Sequence, residues 1–159
     1  MDDQEVMAKA LAFEKSLNYR FNDLEMLTGA IVSRGYPNEH KSFAPKIRHT
    51  VLANLGDAVI DLLATEHLVR VNPADDAGQI TIQRSRMVSE KSLNELAGPI
   101  LRFLVLTSGE RNELDRSSIP CEAVEALAGA LYLDGGLAAA RRPAGRVGGC
   151  GAGGTGGGR

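Results

Sequence analysis

A chain of 159 residues, 43% of them hydrophobic, is long enough for one domain with a buried core and too short for two of ordinary size. Its formal net charge of −2 argues against holding nucleic acid by charge alone, though not against a protein that brings divalent cations to the phosphates. No apolar run reaches the roughly eighteen residues of a membrane span, and the acidic, amphipathic start MDDQEVMAKALAFEKSL is unlike a secretory signal. The two cysteines, Cys121 and Cys150, lie far apart and suggest neither a disulfide framework nor a zinc site, so a reduced, cytoplasmic setting is expected. With no Trp, three Tyr and four Phe, few aromatic faces exist for splayed bases to stack on. Recognition of a duplex by shape and backbone needs fewer of them.

In chain order, residues 4–16 read as a helix with Val6, Leu11 and Phe13 among its apolar positions, broken by Asn18, Tyr19 and Arg20. Asn22 or Asp23 is placed to cap a second helix over 24–32 by accepting from the free amides of its first turn. Residues 35–45 read as a loop, rich in Gly, Pro, Asn and Ser. His40 and His49 fall in or beside it without a partner four residues on, and are expected to be surface residues without a role.

The stretch 51–69, VLANLGDAVIDLLATEHLV, is the longest helical signal. Leu52, Leu55, Val59, Leu62 and Leu63 recur three and four apart and predict a buried stripe. Asn54, Asp57, Asp61 and Thr65 form a polar ridge by the same spacing. A carboxylate at Asp57, inside an otherwise apolar run, must reach water, a donor or a cation.

A turn over 72–78 is followed by a helix over 80–90, whose Arg84 and Arg86 read as a solvated face able to approach phosphate. A short helix over 92–96 is expected to close at Gly98 and Pro99. Residues 100–106 read as a buried helical turn or extended connector, and 108–118 as a polar loop.

Ile119 and Pro120 then open a helix, CEAVEALAGALYLDGG, with Pro in the first turn where its missing amide does no harm. Val124, Leu127, Ala128 and Leu131 make its predicted buried stripe, Glu122 and Glu125 project together from another side, and Asp134, Gly135 and Gly136 read as its stop. No strand-turn-strand pattern occurs, so the expected fold is all-α. Residues 137–142 begin one more amphipathic helix. The expected domain is 1–142, followed by a Gly-rich disordered tail over 143–159. That tail reads as a truncation, a cloning scar or a shifted reading frame.

Carboxylates on two helices, Asp57 on one and Glu122 with Glu125 on the other, suggest a Mg²⁺ site, since Mg²⁺ takes oxygen ligands and keeps several waters. Such an ion activates water and stabilises charge on a phosphoryl oxygen. Spacing alone does not bring the two helices together.

LGDAVIDLLATEHLV resembles the signature ERLEFLGDAVLDL of the ribonuclease III catalytic domain. The similarity runs in order through residues 10–142. Phe13, Glu14 and Lys15 with Tyr19, Arg20, Phe21 and Leu27 resemble the family's opening helices. Ser33, Arg34, Gly35 and Tyr36 stand at its His-Arg-Ser-Tyr segment. Gly78, Gln79, Ile80 and Thr81 resemble its Gly-x-Leu-Thr, and Met87, Val88 and Ser89 its Leu-Val-Ser. The stretch from Glu122 to Gly136 is similar to DAFEALIGAIYLDGG.

The resemblance implies the family's helical fold and a Mg²⁺-dependent endonuclease of double-stranded RNA, with Mn²⁺ as a possible substitute. It also implies a homodimer without membrane association, and four carboxylates, of which Asp57, Glu122 and Glu125 are present. Glu122 replaces the family's Asp, one methylene longer. The signature's inner Glu is here Ala53, its outer Glu is Thr50, and the Phe that plugs the partner subunit is Asn54. Two functions follow: a nuclease weakened at Ala53, or a catalytically inactive RNA-binding or ribonucleoprotein-assembly module. The family's separate double-stranded-RNA-binding domain is expected to be absent, since nothing foldable follows Arg142.

Overall fold

The computed structural model describes residues 3–41 and 43–147, with side chains as far as Arg142. In chain order the helices are α1 (Asp3–Leu17), α2 (Leu24–Ile31), α3 (Tyr36–Glu39), α4 (His49–Val71), α5 (Ala77–Met87), α6 (Glu90–Leu101), α7 (Ser108–Asn112) and α8 (Ile119–Val147), with a 3₁₀ turn at Leu114–Arg116. The described chain is all-α, and its one sheet-like contact is an isolated parallel bridge between Val32 and Val105. The Gly-rich residues 148–159 lie outside the described residues, whereas the backbone over 143–147 continues α8 past the expected edge at 142.

Local chemistry explains most boundaries. Asp3 and Glu5 begin α1 and Lys15 ends it, each at the pole of the helix dipole that favours its charge. Asn18, at φ 50°, turns the chain out of α1. Asp23 caps α2 by accepting from the Glu25 amide at 3.0 Å. Asp76 and Gln79 close a reciprocal capping box on α5, and Ser89 caps α6.

Several expectations are corrected. Residues 35–45 contain the short helix α3, and 108–118 contain α7. α6 runs through Gly98 and Pro99 instead of closing there. Glycine before proline lacks the Cβ that the pyrrolidine ring would strike in helical backbone, and Pro99 lies within three residues of the helix end, so little of the ladder is lost. Nor do Asp134 to Gly136 end α8. The backbone breaks at Gly135 and Gly136, the latter at φ 68°, and a second helical segment follows.

Asp134 serves a different purpose. Its carboxylate accepts from Tyr19 Oη (2.7 Å), the Asn22 amide (3.0 Å) and the Asp23 amide (2.9 Å), pinning the α1–α2 loop to the middle of α8.

The core lies where α4 and α8 cross, roofed by α2 and α6. Leu52, Val59 and Leu63 of α4 are buried, with Leu127, Ala128 and Leu131 of α8; Leu55 and Val124 are half-buried. Leu62, placed in the buried stripe by its spacing, is instead 51% exposed. The stretch Ile119–Arg142 has the length and composition to cross a membrane, with mean hydropathy 1.2. Half of that apolar window is buried, and Ala123, Ala126 and Ala130 add a further buried side, so its apolarity belongs to a core helix.

Two glycines set the crossing. A Cβ at Gly56 would fall on the carbonyl oxygen of Glu125, and a Cβ at Gly129 on the carbonyl oxygen of Leu52. Both obstacles are helix backbone, which cannot step aside as a flexible side chain can. Gly56→Ala is therefore expected to force the helices apart, at a cost of about 2–3 kcal/mol or more. In thermal unfolding followed by circular dichroism this appears as a midpoint lower by roughly 5–10 °C.

Candidate active site at the crossing of α4 and α8

Close approach of the two helices brings their acidic side chains into one electrostatic neighbourhood. Asp57 follows Gly56 and is exposed; Glu125, whose carbonyl faces Gly56, is half-buried, as is Glu122 one turn earlier on α8. Burial raises the Glu125 carboxyl above the usual range; the Cys121 thiol, donating at 3.5 Å, opposes this, and the charges of Asp57, Glu122 and Glu90 add to it. Burial likewise pushes the Cys121 thiol up to about 12, with Glu125, Glu90 and Glu122 acting in the same direction. Four carboxylates from α4, α6 and α8 thus act on a single region. Sequence reasoning named three of them and gave Glu90 no role.

Each acid of α8 already has a protein partner. Glu122 Oε1 accepts from Ser118 Oγ at 2.5 Å and lies 3.6 Å from Arg34 Nη1. Glu125 Oε1 takes the Cys121 thiol. Among the described residues no group of three or more His, Cys, Asp or Glu is arranged to hold a metal ion. The donor set nevertheless suits a hard cation, being all carboxylate oxygen with an excess of negative charge. Asn94 Oδ1, one turn after Glu90 on α6, is a buried acceptor without a hydrogen-bond partner.

Ala53, Thr50 and Asn54 fall on different surfaces of α4. Ala53, one turn before Asp57, is only 6% exposed and belongs to the core, whereas Thr50 and Asn54 are exposed. Arg84, one of the phosphate candidates, pairs with Asp61 at 3.7 Å.

His49, expected at the surface, is buried at the start of α4, where Nδ1 donates to the Ala30 carbonyl at 2.7 Å. Burial holds its pKa below the ordinary histidine value, although that hydrogen bond and the charges of Glu122 and Glu110 act the other way.

Glu110 is the further residue that the sequence reading missed. Its carboxylate accepts from Ser33 Oγ (2.5 Å), the Gly35 amide (3.1 Å) and the Thr107 amide (2.9 Å). The local signal was legible, since Thr107 and Glu110 form a capping box at the start of α7. Its reach to residues 33–35, which flank Arg34, was not.

Residues 50–136 match the Ribonuclease III domain family. The chain is 41% identical to Ribonuclease 3 of Oleidesulfovibrio alaskensis, covering 78% of this chain and 55% of that protein. It is 39% identical to Ribonuclease 3 of Carboxydothermus hydrogenoformans, covering 82% and 57%. The chain thus spans just over half the length of these relatives. A solved nuclease domain of ribonuclease III from Campylobacter jejuni superposes with a TM-score of 0.70 at 32% identity, covering 87% of this chain and 93% of that one. The chain belongs to the ribonuclease III domain family.

Glu110→Gln tests the clamp. Burial raises the Glu110 carboxyl, but the hydrogen bonds from Ser33, Thr107 and Gly35 outweigh it and leave the pKa lowered. A carboxylate with a lowered folded-state pKa stabilises above its unfolded value and loses that contribution as pH falls through the folded one. The substitution is expected to cost about 2 kcal/mol at pH 7. Melts at a series of pH values should show the gap between the two proteins closing as pH falls below the ordinary glutamate range.

Proposed function

We propose that this domain hydrolyses phosphodiester bonds of double-stranded RNA, with Mg²⁺, or Mn²⁺ in its place, held by Asp57, Glu122 and Glu125. The observation that carries the reading is the convergence of their charges at a glycine-tight helix crossing in a ribonuclease III domain. When bound, the ion supplies an activated water and neutralises charge on the phosphoryl oxygen. The chain's own residues do the positioning. Asp57 presents its carboxylate at the surface of the crossing, and Glu122 and Glu125 line the adjoining turn of α8. A cytoplasmic setting accords with Cys121, a buried free thiol.

The alternative, a non-catalytic RNA-binding or ribonucleoprotein-assembly module, is favoured by one observation: Ala53 puts a core methyl where the family signature has a carboxylate. Cleavage of long duplex RNA decides between them. With Mg²⁺ or Mn²⁺ the chain is expected to cut, and Glu125→Gln to lower the rate by at least about 100-fold. No cleavage by this chain or by Ala53→Glu at saturating metal favours the assembly reading.

The partner surface is proposed on α4. Val51 (57% exposed), Ala58, Leu62 (51%) and Val69 (53%) recur seven, four and seven residues apart, which stacks them on one outward side of the helix. An exposed apolar stripe of this length suits a second copy of the same helix across a two-fold axis. In the solved Campylobacter jejuni nuclease domain, a structurally flexible region is involved in dimer formation. Leu62→Glu is expected to leave the fold intact and shift the protein from dimer to monomer in sedimentation; an unchanged dimer places the interface elsewhere.

A further inference from the structure

Between the Glu110 clamp and the acid cluster lies Arg34, a residue that neither the helical periodicity nor the carboxylate set assigns. Its side chain is 60% exposed and its Nη1 lies 3.6 Å from Glu122 Oε1. That distance describes a loose pair, open to solvent and easily exchanged. The backbone carrying it is the opposite. Ser33 and Gly35, on either side, are both held by the Glu110 carboxylate, and the Ser33 amide donates to the Val105 carbonyl at 3.0 Å. The pivot is fixed and the guanidinium is loosely held.

We propose that Arg34 alternates between two anions: Glu122 when the acid cluster holds no divalent cation, and a phosphate of the RNA strand when it does. This rests on the nuclease reading above. A guanidinium pairs with carboxylate or phosphate through the same planar fork, so the exchange needs no new chemistry. A cation that takes Glu122 removes the anion on which Arg34 rests. The clamped backbone then leaves a positive group within side-chain reach of the acids, where the phosphodiester must lie to be cut. Arg84 is less suited to this part, because its partner Asp61 stands one turn beyond Asp57. In a chain of net charge −2, one well-placed arginine matters to phosphate binding more than it does in a basic domain.

The test uses the full chain and two measurements. In calorimetric titration with Mn²⁺, R34Q is expected to bind the ion several-fold more tightly, because Glu122 is no longer shared. For duplex RNA binding Ca²⁺ replaces Mn²⁺, since it keeps the oxygen preference with less polarising power. Intact RNA is verified at the end. R34Q is expected to weaken binding, and its dependence of log affinity on log salt to be shallower by about one phosphate contact. R34K, which keeps a positive charge, is expected to restore most of the salt dependence. Unchanged Mn²⁺ affinity, or an unchanged salt slope, in R34Q overturns the assignment. If the unaltered chain binds both ion and RNA and R34Q matches it, only Arg34 is misassigned; if it binds neither, the nuclease reading fails and Arg34's role with it.

Discussion

Backbone contact between α4 and α8 at Gly56 and Gly129 is the constraint on which the rest of the molecule depends. Helices usually pack with their axes 8–10 Å apart because side chains stand between them. Here each glycine faces a carbonyl of the other helix, so the separation is set by main chain. The consequence for function is direct. Asp57 follows one glycine, and Glu125 lies four residues before the other and supplies the carbonyl that Gly56 meets. Any residue with a Cβ at either glycine would widen the gap between the acids as well as loosen the core. Stability and charge placement are therefore properties of the same contact.

That contact creates an electrostatic problem. Like charges that lie near one another repel more strongly where the effective dielectric falls below that of water. The domain relieves the repulsion with what is at hand. Glu125 has a raised pKa and a thiol donor, and Glu122 has Ser118 and Arg34. A cation at the proposed site would relieve that repulsion further. The clamp on residues 33–35 belongs to the same arrangement, since Glu110 is a carboxylate satisfied wholly by neutral donors and leaves Arg34 to the acids.

The helices were legible in the sequence because they carry local signals: apolar spacing on α8, a capping residue at Asp23 and a turn over 72–78. Asp57, Glu122 and Glu125 were named by motif blocks, and their proposed role rests on that resemblance and on the charges they place near one another. What was not legible depended on contacts distant along the chain. Asp134 read as a helix stop, yet its hydrogen bonds go to Tyr19, Asn22 and Asp23. His49 read as a surface residue because nothing near it in sequence hints at the Ala30 carbonyl. Leu62 was assigned inward because α4 is apolar on two sides, and periodicity does not say which of two stripes meets the core. Glu90 could not have been added to the acids from its spacing, since it arrives from a third helix.

Ala53 gains its meaning from this charge balance. It lies one turn from Asp57 and is almost wholly covered, so a carboxylate there would be a buried charge on the same helix as Asp57. Without a cation, a further buried negative charge destabilises the fold; with one, it contributes a ligand. Alanine adds no such buried charge. Glu90, at the start of α6, adds to the acidic charge acting on Glu125, and Asn94 Oδ1, one turn on, is a buried oxygen without a hydrogen-bond partner. With Ala53 in place of an acid, the proposed site would hold less negative charge at rest and rely on Asp57, Glu122 and Glu125 for its oxygen ligands.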